Sequence, residues 1–222
     1  MTSGQFACFE GLSTQPFSFF SNYICAMDFL PALKAIAQWV VLGLNFVFIL
    51  GVIRQKIWAW PIGIIASAIS VWLFIDVKLF SEALLYSVYI VLGFYGWFRW
   101  MPGKNTKSRA ISEASPKVHL FAILIGLITW IGLGSFFQYF TDSALPYADA
   151  FSTAFAFVAT YLESEKYLRH WWYWIVLNAF SIWLYHTREL DIMAFMMLGF
   201  TAFSVVGYYS WVKQVNPTTA ED

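Results

Sequence analysis

Apolar residues follow one another along this chain in seven long runs, roughly 35–53, 58–75, 79–98, 118–140, 149–162, 171–187 and 190–212, each bounded by charges or turn residues. A hydrocarbon core about 30 Å thick takes about 20 mostly apolar helical residues, so the pattern predicts seven transmembrane helices, the fifth being the shortest. The connections after runs one, two and six span only a few residues, which makes those successive helices antiparallel neighbours. Pro31 and Pro61 stand where helix starts tolerate a proline, and Asp149 is a candidate N-cap. The Phe-rich stretch 17–30 has no basic region before it, so it reads as an interfacial helix rather than a cleaved signal peptide, with a short extra span as the alternative.

The one long polar segment inside this array, 101–117, carries Pro102, Gly103 and Pro116 and reads as a linker between halves. Sliding the second half onto the first at an offset of 114 brings Trp58 onto Trp172, Trp60 onto Trp174, Ser67 onto Ser181, Gly93 onto Gly207, Tyr95 onto Tyr209 and Trp97 onto Trp211. Spans one to three and five to seven therefore read as one three-helix unit used twice, with span four as connector. Three helices plus one return the second copy in the same orientation, which predicts parallel repeats about an axis along the membrane normal, with a substrate path between them near mid-membrane. The expected division is an N-terminal interfacial segment over 1–30, a first repeat over 31–100, a cytoplasmic linker over 101–117, a connector helix over 118–147, a second repeat over 148–213 and a tail over 214–222.

Composition agrees with lipid as the solvent: 60% of residues are hydrophobic, 21% aromatic and 12% charged, about half the charge of a soluble chain. The formal net charge is zero, which leaves no field to attract nucleic acid. Its distribution is uneven. With the N-terminus outside, the inner side holds Arg54, Lys56, Arg99, Lys104, Lys107, Arg109, Lys117, Lys166, Arg169 and Lys213, against Lys34, Lys78 and Arg188 on the outer side, so the positive-inside rule predicts N-out and C-in. Cys8 and Cys25 make no disulfide framework and read as inert thiols.

Polar groups in mid-span are costly unless paired, which makes them functional candidates. On the sixth span Trp174, Asn178, Ser181 and Tyr185 fall at i, i+4, i+7 and i+11 and share one face. An amide beside a flat indole suits a ring bearing a carboxamide or a sugar; the alternative for Asn178 is an interhelical bond that fixes packing. Gln38 and Asn45 share a face of the first span, Asn45 being the stronger candidate and Gln38 the more readily hydrated. Trp60 and Ser67 share a face of the second, where Trp60 is either a ligand contact or an interfacial anchor. Tyr86, Tyr89, Trp183, Thr153 and Thr160 are second choices. Glu82 lies near the outer end, and Glu163 and Glu165 beside Lys166 and Arg169 suggest local ion pairs in an inner loop.

The chain has no G-x-x-x-x-G-K-[ST] phosphate loop and no H-E-x-x-H. His119, His170 and His186 lack ligand spacing, and no lysine lies between Arg188 and Lys213 to form a retinal Schiff base. These readings call for no enzyme, metal or cofactor. The expected path is neutral and aromatic, and such a path attracts organic cations through ring quadrupoles.

The segments Trp58-Ala-Trp60-Pro61-Ile-Gly63, Tyr95-Gly96-Trp97-Phe98-Arg99-Trp100, Asp149 to Thr153, Ala159-Thr160-Tyr161-Leu162, Lys166 and Trp171 to Tyr185 resemble the PnuC family of bacterial vitamin transporters over 35–213. The resemblance implies an inner-membrane transporter for nicotinamide riboside with the duplicated three-helix, SWEET-like fold. It also implies facilitated diffusion, trapping by an intracellular riboside kinase, and a homotrimer. The family's W-x-x-x-N motif falls on Trp174 and Asn178. Where an L-Q-x-x-Y pattern is expected in the third span, this chain has Leu85-Tyr86-Ser-Val-Tyr89, so thiamine or a related vitamin is the alternative ligand. A membrane scaffold or sensor that transports nothing is the alternative from another class.

Overall fold

The computed structural model describes residues 18–76, 80–102, 110–141 and 143–215, with side chains from 32 onward except at 80 and 81. Cys8, Lys78, Lys104, Lys107, Arg109 and the 216–222 tail lie outside these residues. Seven α-helices follow in order: α1 (Ser18–Ile53), α2 (Ala59–Asp76), α3 (Phe80–Trp100), α4 (Pro116–Phe140), α5 (Pro146–Ser164), α6 (His170–His186) and α7 (Asp191–Val215). Four of them are long and apolar enough to cross a membrane on their own over Ala32–Ile53, Ala59–Asp76, Pro116–Phe140 and Asp191–Val215. The other three, α3, α5 and α6, carry Tyr86 and Tyr89, Glu163, and Trp174 and Asn178 respectively. Their neighbours present apolar side chains outward, among them Trp39, Phe121, Ile128, Tyr139 and Phe195, a surface that only lipid or another apolar partner covers without cost.

One boundary differs from the sequence reading. Helix α1 runs through Pro31 without a break, so residues 18–30 continue the first span rather than form a separate helix. Its 36 residues correspond to about 54 Å. A proline removes one helical hydrogen bond, and the surrounding stretch, apolar and free of glycine, adds no second breaker.

Within the first half α2 packs on both α1 and α3, and within the second α6 packs on both α5 and α7. The halves meet twice, α3 against α5 and α7 against α1. Six helices thus close a ring in the order α1, α2, α3, α5, α6, α7, while α4 lies outside it, packed along α5, with His119 reaching the Tyr173 hydroxyl of α6 at 3.1 Å. This is the expected 3+1+3 plan of two parallel repeats. A half-turn about the ring axis maps one seam onto the other.

The register of the repeat is 111, not 114. Trp60 fills the space over Gly96, where an added Cβ would lie 2.3 Å from the indole, and Trp171 does the same over Gly207 at 2.4 Å. Gln55 and Lys166, 111 apart, are the left-handed residues of the two equivalent turns, each with φ of 53°. Across the seams, Tyr89 meets Phe157 with ring centroids 5.2 Å apart, and their equivalents Phe200 and Phe46 meet at 4.8 Å. Three residues are nearly one helical turn, so an offset of 114 matches tryptophans one turn out on similar faces.

Candidate functional site

The two ends of the ring are built differently. At the end where α1 and α5 finish, polar bonds tie one half to the other. Arg99 of α3 forks onto Glu165, Nε to Oε1 at 2.7 Å and Nη2 to Oε2 at 2.6 Å, and the Tyr95 hydroxyl donates to the same carboxylate at 2.5 Å. Lys166 reaches Gln55 Oε1 at 3.4 Å, lies over the Trp100 ring at 4.5 Å, and has its ammonium pushed below the usual lysine range by burial. Gln55 also donates to Gln214. Beneath these bonds Trp60, Trp100, Trp171 and Trp211 pack with Val52, Ile53, Ala59 and Leu168 into one core. The approach to α4 joins in, because Ser112 N–H donates to Lys166 O at 3.1 Å and Leu168 N–H to Ser112 O at 2.9 Å. At the opposite end these ion pairs stay within a half: Lys34 with Asp76, Arg188 with Asp149 at 2.8 Å, and His186 with Asp191 at 2.8 Å.

Between the ends, α6 brings the sequence-selected residues to the seam. Trp174 and Tyr89 both pack on a cluster of Ala156, Ala159 and Leu177, so the indole stands where α3, α5 and α6 converge. Its Nε1 donates to Glu163 Oε2 at 2.8 Å. Tyr86 stacks on Phe74 with centroids 5.3 Å apart and touches Tyr89 at 5.8 Å. Tyr89 in turn meets Phe157 of α5 edge-on at 5.2 Å, so the row runs from Phe74 across α3 to the second half. Glu82 and Asp149 lie at the mouth of this row, within electrostatic range of Tyr185 and Arg188.

Asn178 is 9% exposed and its Nδ2 donates to Ser204 Oγ of α7 at 3.3 Å, while Ser204 donates to Phe200 O at 2.8 Å. One of the amide's two donors therefore serves helix packing. Asn45, Ser67 and Ser181 are half-buried and make no side-chain hydrogen bond among the described residues. In the 111 register Ser67 is the equivalent of Asn178. Thr160 bonds back to Ala156 O at 2.8 Å and serves its own helix.

Two candidates lie elsewhere. Trp60, 1% exposed, is edge-on to Phe48 and Trp100 inside the aromatic core, so it is neither an interfacial anchor nor part of the interior row. Trp183 is 51% exposed, packs on Phe180, and lines an outer groove of about 290 Å³ with Trp130, Tyr147 and Phe151. Five residues from Asn178 on a helix, it points well away from the amide. The acids differ from expectation too: Glu165 pairs with Arg99 of the other half, and Glu163 is 3% exposed against Trp174. The signal for Glu163 is present in the sequence, since it continues the Ala156 and Ala159 face at i+7 and i+4.

Known proteins share this architecture. A crystal structure described as that of the vitamin B3 transporter PnuC superposes with a TM-score of 0.66 at 22% identity, covering 87% of this chain and 88% of its own. The nicotinamide riboside transporter PnuC of Escherichia coli is 19% identical over 191 residues, 72% of this chain and 77% of that one. The riboflavin/roseoflavin transporter RibM of Streptomyces davaonensis is 21% identical over 206 residues, 90% and 91% of the two chains. The family model described as nicotinamide mononucleotide transporter matches residues 35–213, from the body of α1 to the last turn of α7. A ring of two parallel three-helix units, with a tryptophan and an asparagine one turn apart beside its seam, is thus a multi-pass membrane protein belonging to the nicotinamide mononucleotide transporter family.

Proposed function

We propose that the protein carries nicotinamide riboside into the cell by facilitated diffusion, through the path between its two repeats. The observation that carries this reading is the place of Trp174: an indole at the convergence of α3, α5 and α6, one turn from the buried amide of Asn178, inside a family of vitamin carriers. The indole face stacks on the pyridine ring, Asn178 and the half-buried Asn45, Ser67 and Ser181 take the carboxamide and ribose, and Tyr86 lines the approach.

Transport follows from rocking of the halves over the site. The chain sits N-out and C-in, so the end closed by Arg99 and Glu165 faces the cytoplasm, and opening it requires those cross-repeat bonds to break. A cytoplasmic riboside kinase traps the product, the protein works as a homotrimer, and it performs no chemistry on its cargo. The repeats are taken as 31–100 and 148–213, with 118–147 as connector.

The test is titration calorimetry on the purified chain with nicotinamide riboside, thiamine and riboflavin, and nicotinamide mononucleotide as the phosphorylated control. Riboside binding that is lost in a folded Asn178→Ala variant supports the proposal. Accumulation of riboside against its gradient in kinase-free vesicles would sink facilitated diffusion. A second reading, a riboflavin carrier, is favoured by the larger share of this chain, 90% against 72%, that aligns with the riboflavin transporter; preferential binding of riboflavin would select it. Silence from every ligand, with Asn178→Ala costing only stability, would select a scaffold.

A further inference from the structure

Glu163 stands in the last turn of α5, 3% exposed. One carboxylate oxygen, Oε2, accepts the Trp174 indole N–H at 2.8 Å; the other, Oε1, is buried with no hydrogen-bond partner. Three basic groups of that end are engaged elsewhere: Arg99 with Glu165, Arg169 with Glu113, and Lys166 with Gln55 and the Trp100 ring. Burial with no cation beside it favours the neutral form of the Glu163 acid, so the seam holds a carboxyl group that ionises only when a cation arrives to pair with it; a helix cap gives no reason for it, because the free oxygen lies inside the bundle. The bond to Trp174 Nε1 lies in the plane of the indole. It therefore fixes the edge of the ring and leaves its faces to whatever packs or stacks there.

We propose that Glu163 and Trp174 together form a subsite for the positively charged aromatic ring of the cargo: the indole supplies the stacking face and Oε1 the counter-charge. This rests on the transport reading above and deepens it by naming the charge on the ligand and the residue that reads it. In the conformation described, the free oxygen is sealed at the seam where Trp174 and Tyr89 pack on one cluster. When a cationic ligand enters and the halves part, the acid gives up its proton to the water that is admitted, and Oε1 pairs with the ring. The same carboxylate repels an anion, so a phosphate on the cargo is rejected at this point of the path.

The test compares nicotinamide riboside, a pyridinium cation, with its neutral dihydro form by titration calorimetry on the full chain in detergent. Glu163→Gln keeps an acceptor for the Trp174 N–H and removes the charge. The expected result is a loss of about ten- to hundredfold in affinity for the cation, the range for a bond to a charged group, with less than about threefold change for the neutral form. Equal losses for both ligands, or no loss for either, would overturn the subsite while leaving the transport reading intact. Should Glu163→Gln not fold, Glu163→Asp decides, because it keeps the charge and withdraws it by one methylene: a larger loss for the cation than for the dihydro form supports the subsite, and equal losses or none overturn it. A wild type that binds neither riboside but takes thiamine, with the same dependence on Glu163, would overturn the cargo reading and keep the subsite.

Discussion

Trp100 and Trp211 occupy the same place in the two halves, and each donates its indole N–H across the ring to the carbonyl on which the other half's first helix ends, Trp100 to Ser164 at 3.1 Å and Trp211 to Ile53 at 3.2 Å. Their rings also meet, with centroids 6.3 Å apart. The two bonds are one interaction used twice, and both must open for this end of the ring to part. Trp100→Phe and Trp211→Phe each remove one buried donor and leave an aromatic ring, so each is expected to cost about 1 kcal/mol. Thermal unfolding in detergent checks it: both variants should melt earlier than wild type, Trp100→Phe by somewhat more because its ring also carries Lys166, and a variant that melts like wild type would contradict the role of its bond.

The glycines under the paired tryptophans give an independent check. A methyl group at Gly96 or Gly207 would sit 2.3 Å or 2.4 Å from an indole that is itself locked in the core, whereas Gly199 on α7 has nothing within 4 Å of its added Cβ. Gly96→Ala and Gly207→Ala are therefore expected to destabilise by about 1–3 kcal/mol through overpacking. Gly199→Ala should gain up to about 1 kcal/mol from helix propensity. The same melting experiment separates them by sign.

Glu165 concentrates the polar closure of this end, taking both Arg99 nitrogens and the Tyr95 hydroxyl. Its side chain is 4% exposed while that of Arg99 is 39% exposed, so the arginine can find water when the pair breaks and the cost falls below that of a fully buried pair. Glu165→Gln is expected to weaken closure by about 1–3 kcal/mol. Hydrogen exchange should show it as faster exchange at Leu168 and Ser112, whose amides bond across the adjoining strap. Arg99→Ala should have a similar effect, and the double variant should cost less than the two together.

Apolar run length carried the seven helices and their order, because span length and hydropathy are set by the bilayer and need no knowledge of contacts. Facing was legible only where a polar residue had a single face to choose, as with Trp174 and Asn178. It failed where aromatic residues occur on every face. Trp60 and Trp183 look alike to a sequence pattern, yet one fills the space over Gly96 and the other borders a groove beside Trp130. The same abundance of tryptophan hid the repeat register, since matches one turn apart score almost as well as the true ones. Glu163 and Glu165 suggest local ion pairs with Lys166 and Arg169 in an inner loop, because charges near a span end usually pair close by. Helical spacing puts Glu163 on the Ala156 and Ala159 face, but the partners that hold the two acids, Trp174 and Arg99, arrive from other elements, a tertiary fact no local window contains.

Asn178 has two claims on it, and Ser204 separates them. The amide donates to Ser204 Oγ at 3.3 Å, a long bond, and the serine already donates to Phe200 O at 2.8 Å. If the amide serves the cargo, Ser204→Ala frees one donor without moving α6, so riboside affinity should stay within about threefold of wild type while stability falls by about 1 kcal/mol. Asn178→Ala should do the reverse on affinity, with a loss of about tenfold, the equivalent of one ordinary hydrogen bond. If the amide only holds α6 to α7, the two variants cut the same bond and must match in both readouts. Calorimetry and melting on the same preparations decide between these patterns, because a packing role cannot lower affinity in one variant and spare it in the other.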